Sequence, residues 1–151
     1  MIVLDAIDRA LLRALVAEAD RPASVLGRML GLSQPATWRR IRRLEAAGVI
    51  AGRRLRLDAA RLGLGVTVFL GVKLAAKGRA SLEDFERAVT SIREVQTVEH
   101  VLGLYDYRLR VVARDLADFE RVLRRRIMTL PGVGTLEANV LLSEERLPGP
   151  I

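Results

Sequence analysis

Seven arginines crowd into eighteen residues of this chain, Arg39, Arg40, Arg42, Arg43, Arg53, Arg54 and Arg56, against a single acid, Glu45. A guanidinium stays charged, and its planar fork of donors matches a phosphate or the acceptor edge of a guanine. Gln34 and the only tryptophan, Trp38, stand beside them. Such a set suits a polyanion. Groups for covalent chemistry are scarce by comparison. There is no cysteine, which removes disulfides, thiolate metal sites and a cysteine nucleophile. The one histidine, His100, falls on a strand-like stretch with no second histidine to assist it, and reads as a strand or interface residue. No triad, phosphate loop or metal cluster is visible, so neither catalysis, a cofactor nor a metal is expected.

The charge is uneven. Residues 1–64 hold 12 arginines and 6 acids, almost the whole of the net +7. A localised basic patch points to nucleic acid, the bland alternative being a solvated arginine-rich face. The 151 residues are half apolar but only 4% aromatic, which suits two small aliphatic domains. Domains that small gain from oligomerisation. No signal peptide is visible and no apolar run reaches the roughly 18–20 residues of a membrane span. The expected location is the cytoplasm, with no membrane partner.

The arginines need a scaffold, and the residues around them supply one. Ile7, Leu11, Leu12, Leu15 and Val16 recur at helical spacing, giving a helix over 5–18 with Asp5 as its cap and Asp8 complementing the dipole. A short helix follows with Val25, Leu26, Met29 and Leu30 apolar, stopped by Gly31. Ser33 caps a third helix, Gln34 to Ala47, in which Pro35 falls harmlessly in the first turn and Gly48 ends the run. Residues 49–57 read as two short strands around Gly52. Helix, glycine turn, basic helix and basic hairpin is the order of a winged helix-turn-helix, whose second helix enters the major groove. On that reading Gln34, Thr37, Trp38, Arg39 and Arg42 lie near base edges, although Thr37 also fits the inner face and Trp38 also fits a packing role. Ser33, Arg40, Arg43, Arg53 and Arg54 would hold the phosphates.

The second part alternates as strands do in Val66 to Leu74, Thr97 to Leu102, Tyr105 to Ala113 and Thr135 to Ser143. Between them run two amphipathic helices, the first capped by Ser81 and the second by Asp115. Leu82-Glu83-Asp84-Phe85-Glu86-Arg87 nearly repeats as Leu116-Ala117-Asp118-Phe119-Glu120-Arg121. The order βαββαβ with two equivalent halves is the ferredoxin-like arrangement. Its free sheet face, expected to be apolar, would be covered by a second copy.

In these stretches the chain resembles the leucine-responsive and asparagine-operon (Lrp/AsnC) regulators. Leu4-Asp5 with Asp8-Arg9, Gly31-Leu32-Ser33, Arg43-Leu44-Glu45 and Gly48-Val49-Ile50 carry the likeness in the first part. Gly103-Leu104-Tyr105-Asp106 resembles the family's G-x-x-D loop, and Leu130-Pro131-Gly132-Val133 its turn before the last strand. The resemblance implies double-stranded DNA as partner, dimers assembling to tetramers or octamers, and an amino-acid effector near Gly103, Leu104, Tyr105 and Asp106. Asp106 also reads as a turn residue bonding the backbone locally. The chain departs from the pattern at Pro22 and Val25, which replace a capping box, at Leu102, and at Glu137, Ala138 and Asn139. Two rivals remain: the architecturally similar sirohaem decarboxylases, and a DNA-compacting protein without a defined operator. The expected fold class is α+β, with a winged helix-turn-helix over 1–58, a linker over 59–64, a ferredoxin-like effector-binding and oligomerisation domain over 65–143 and a frayed tail over 144–151.

Overall fold

The structure, a computed structural model, describes residues 2–55, 57–75, 78–145, 147 and 149, with only the backbone of Arg79. The expectations for Arg56 and for much of the tail lie outside the described residues. The chain divides into two compact units, residues 1–56 with 145–151, and residues 57–144. The expected linker is a coiled turn at the start of the second unit. In it Leu62 and Leu64 N–H donate to Ala59 O at 3.1 and 2.8 Å.

In the first unit, α1 (Ala6–Ala17) opens with a reciprocal cap. Asp5 accepts from the Asp8 amide at 2.7 Å and Asp8 from the Asp5 amide at 3.1 Å. The next helix, α2 (Ala23–Leu30), starts at Pro22 with no side-chain cap and stops at Gly31, φ 67°. Ser33 caps α3 (Gln34–Ala46) by accepting from the Ala36 amide. Leu11, Leu12, Leu15, Leu26, Ile41 and Leu44 form the core. Gly27 lets α2 close on the turn before α3: a Cβ there would sit 2.7 Å from Leu32 O and 3.0 Å from Thr37 Oγ1.

The expected hairpin over 49–57 is a correction. Its described residues, 49–55 and 57, run without any strand ladder. Arms this short, the second of them opening on the adjacent Arg53 and Arg54, bury too little to hold an isolated two-stranded ribbon.

In the second unit, β1 (Val66–Leu74), α4 (Arg79–Val89), β2 (Val95–His100), β3 (Tyr107–Ala113), α5 (Leu116–Val122) and β4 (Val133–Val140) follow in chain order. The strands lie β2-β3-β1-β4, all neighbours antiparallel. Leu70 pairs with Leu109 and Val68 with Val111, and these inward residues pack with Phe85, Val89, Phe119, Val122 and Ile127. Tyr107, fully buried, meets Phe85 with ring centroids 4.7 Å apart and donates its hydroxyl to Glu86 at 2.7 Å. Burial, then that carboxylate, push its pKa up. Asp115 caps α5 as expected, and Leu123–Ile127 continues it as a wider π-turn.

Two expectations fail here. Ser81 lies inside the first turn of α4, whose N-cap is Gly78 without a side-chain bond. The free sheet face is also not apolar. Strand register gives it Thr67, Phe69 and Lys73 from β1, Arg108, Arg110 and Val112 from β3, and Thr135, Glu137 and Asn139 from β4. Arg108 pairs with Glu99 at 2.6 Å and Arg110 with Glu144 at 3.3 Å. The strands' apolar residues are largely spent on the helical side, at alternate positions.

Candidate nucleic-acid interface and effector loop

The third helix has three kinds of position. Thr37, Ile41 and Leu44 face the core. Thr37 is fully buried and donates its hydroxyl to Ser33 O at 3.0 Å, so the base-edge position expected for it is corrected. Helical spacing turns it toward α2, and its hydroxyl satisfies the preceding turn.

The outer stripe holds Gln34, Trp38, Arg39 and Arg42, all exposed. Trp38 is 52% exposed, with the Arg42 guanidinium 4.6 Å from its ring centroid, a cation–π stack that holds both side chains. Glu45 lies 3.7 Å from Arg42 and 3.8 Å from Arg53. It thereby links the helix to the segment after it. Ser33 is exposed at the start of this helix, and Arg54 is exposed in the segment after it, beside a hollow lined by Leu4, Arg9 and Leu12 of the first helix and its approach.

The third kind is the flank bearing Arg40 and Arg43. Arg40 Nη1 donates to Asp5 at 2.7 Å and to Asp8 at 2.8 Å, and Arg43 Nη2 donates to Asp8 at 2.5 Å. Asp8 is fully buried. Burial alone would raise its carboxyl, but Arg40, the Asp5 amide and Arg43 outweigh it and hold it below the ordinary carboxylate value. The Asp8 amide, then Arg40, hold Asp5 down as well. Sequence reasoning gave Asp8 only a dipole role. Its partners stand 32 and 35 residues away, beyond any local pattern.

In the second unit the loop over 101–106 leaves β2 and returns into β3. Val101 N–H donates to Asp106 O, and Asp106 N–H to Val72 O. The Asp106 carboxylate accepts from the Leu74 amide at 2.9 Å, tying the loop to the end of β1. Asp106 thus bonds backbone, though that of another strand rather than of its own turn. Gly103 and Leu104 stay exposed, and a Cβ on Gly103 would meet nothing within 4 Å. Tyr105 lies flat on Gly71, where a Cβ would come within 2.7 Å of its ring, and its hydroxyl bonds Glu137. Leu104 and Tyr105, with Phe69, Gly71, Val101, Arg108 and Asn139, line a hollow of about 330 Å³. Gly71, missed in the sequence, is legible as a glycine inside a strand, a mark of close approach. His100 stacks on Tyr107 at 4.9 Å, and among the described residues no group of His, Cys, Asp and Glu is placed to hold a metal. No described helix is long and apolar enough to cross a membrane.

Two family models match the chain: an AsnC-type helix-turn-helix domain over residues 4–45 and an Lrp/AsnC ligand binding domain over residues 67–148. A proline dehydrogenase transcriptional activator from Rhodobacter capsulatus is 34% identical over 93% of this chain and 91% of its own length. A Bkd operon transcriptional regulator from Pseudomonas aeruginosa is 35% identical over 97% and 96%. The fold is shared with a transcriptional regulator from Neisseria meningitidis, solved as a complex with L-Met, at a TM-score of 0.91 and 24% identity over 99% of this chain and 96% of that one. Helix-turn-helix, four-stranded α+β sheet and full-length relatives agree: the chain belongs to the Lrp/AsnC family of DNA-binding transcriptional regulators.

Proposed function

We propose that the chain regulates transcription by laying α3 in the major groove, with Gln34, Trp38, Arg39 and Arg42 at base edges and Ser33, Arg43, Arg53 and Arg54 on phosphates. The observation that carries this is the outer stripe of α3, where a capped helix presents Trp38, Arg39 and Arg42 to solvent. The groove is about 12 Å wide and admits one helix, and an arginine there reads guanine through two hydrogen bonds. Arg40 is left out because Asp5 and Asp8 both hold its guanidinium, whereas Arg43, with its one bond to Asp8, keeps about half of its side chain exposed.

The second unit senses an α-amino acid or a close relative through the loop over 103–106, and assembles dimers into tetramers or octamers on the nucleoid. The matched ligand-binding model supports the sensing role. An effector acts only if its affinity differs between assemblies.

The test is retention of genomic fragments at near-physiological salt, with and without mixed amino acids, followed by sequencing. A few fragments sharing a palindrome are expected, with their yield changed by amino acids. Uniform, steeply salt-dependent retention would mark a compacting protein instead. No retention would return attention to His100 and catalysis.

A further inference from the structure

The DNA reading leaves one buried charge unused. Asp8 belongs to α1, yet its carboxylate is gripped by Arg40 and Arg43 of α3, with Arg40 spanning from Asp8 to Asp5. Arg40 and Arg43, three apart, share one flank of the helix, while Arg39 and Arg42 take the outer face. An apolar residue would fill the site of Asp8 without the desolvation that a buried carboxylate suffers. What the carboxylate adds is direction: it fixes where two guanidinium groups point.

We propose that Asp8 is a specificity-determining positioning residue, which sets α3 on α1 and withholds Arg40 from DNA so that Arg39 and Arg42 do the reading. A released Arg40 would reach phosphate on any sequence, adding affinity without information. The proposal rests on α3 being the groove helix.

The experiment uses the full-length chain, the tightest duplex it selects from a random pool, and the unselected pool at the same length, each titrated across salt. Arg39→Gln and Arg42→Gln are expected to lower the preference for the selected duplex, while Arg40→Gln leaves the salt slope unchanged. Asp8→Asn, which leaves Arg40 with the exposed Asp5 as its one remaining carboxylate, is expected to steepen the slope by up to about one unit on both duplexes and cut the preference about tenfold. Adding Arg40→Gln to Asp8→Asn returns the slope to that of the native chain, which a merely structural role of Asp8 would not do. A flatter slope for Arg40→Gln alone makes Arg40 a phosphate ligand and overturns the proposal, as does an unchanged slope in folded Asp8→Asn. If circular dichroism shows Asp8→Asn unfolded, the Arg40→Gln arm decides. Preference unaffected by both Arg39→Gln and Arg42→Gln overturns the groove reading itself, and this proposal with it.

Discussion

The outer face of α3 and the loop over 103–106 are both proposed for recognition, but their side chains stand in opposite situations. A helix satisfies its own backbone, so Gln34, Trp38, Arg39 and Arg42 stay exposed to a partner, with only the Trp38–Arg42 stack and the Glu45 carboxylate engaging two of them. The loop cannot do this. Asp106 spends its carboxylate on the Leu74 amide, and its own backbone groups on Val72 and Val101. Tyr105 is engaged by Gly71 and Glu137. What remains exposed at the loop tip is apolar: Leu102 and Leu104. Recognition groups are displayed where the backbone needs no help and consumed where it does.

That contrast can be attacked in descending order of effect. Phe85→Ala empties the core beneath the sheet that carries the loop, and is expected to cost about 3–5 kcal/mol in chemical denaturation. If the first unit holds its own core, its helical signal and DNA binding at low denaturant persist. Their joint loss would break the separation between the two surfaces. Asp106→Ala should cost about 1–3 kcal/mol, since it strips a backbone amide of its acceptor. An unchanged melt with a lost effector response would move Asp106 from structure to ligand binding. Trp38→Ala should cost about 1 kcal/mol of stability, because only half of the residue is covered, yet clearly weaken binding to the selected duplex in a gel-shift assay. The smallest effect concerns acid. Arg114 holds the Asp118 carboxyl at about 2, below its ordinary 3.8. A depressed carboxyl stabilises the fold above its unfolded value and loses that as pH falls from about 3.8 toward 2. Asp118→Asn should therefore flatten the dependence of stability on pH in that window, and leave it unaltered near neutrality.

Much of this architecture is legible along the chain because period and caps are local. Asp5, Ser33, Gly31, Gly48 and Asp115 all sit where side-chain chemistry places helix ends. Ser81 misleads because α4 gains a turn through Arg79 and Ala80, beginning at the extended Gly78. The hairpin after α3 misleads because two short stretches around a glycine suggest strands without supplying a sheet for them to join. Thr37 and Arg40 are the instructive pair at the interface. Helical geometry places both off the outer stripe, but only the Asp8 carboxylate, on another helix, shows what Arg40 does there. The polar sheet face was hidden for the opposite reason, since many apolar strand residues do not say on which side they fall until register is known.

Trp38 is the sole tryptophan of the chain, and it is packed against a cation on the helix proposed to read DNA. Excited selectively, the protein therefore emits from one place. Both tyrosines, Tyr105 and Tyr107, lie in the other unit. The native molecule carries its own fluorescent reporter: stripping Arg42 from the indole changes the quenching, and a metabolite bound at the loop over 103–106 alters that emission only if its effect travels to the recognition helix.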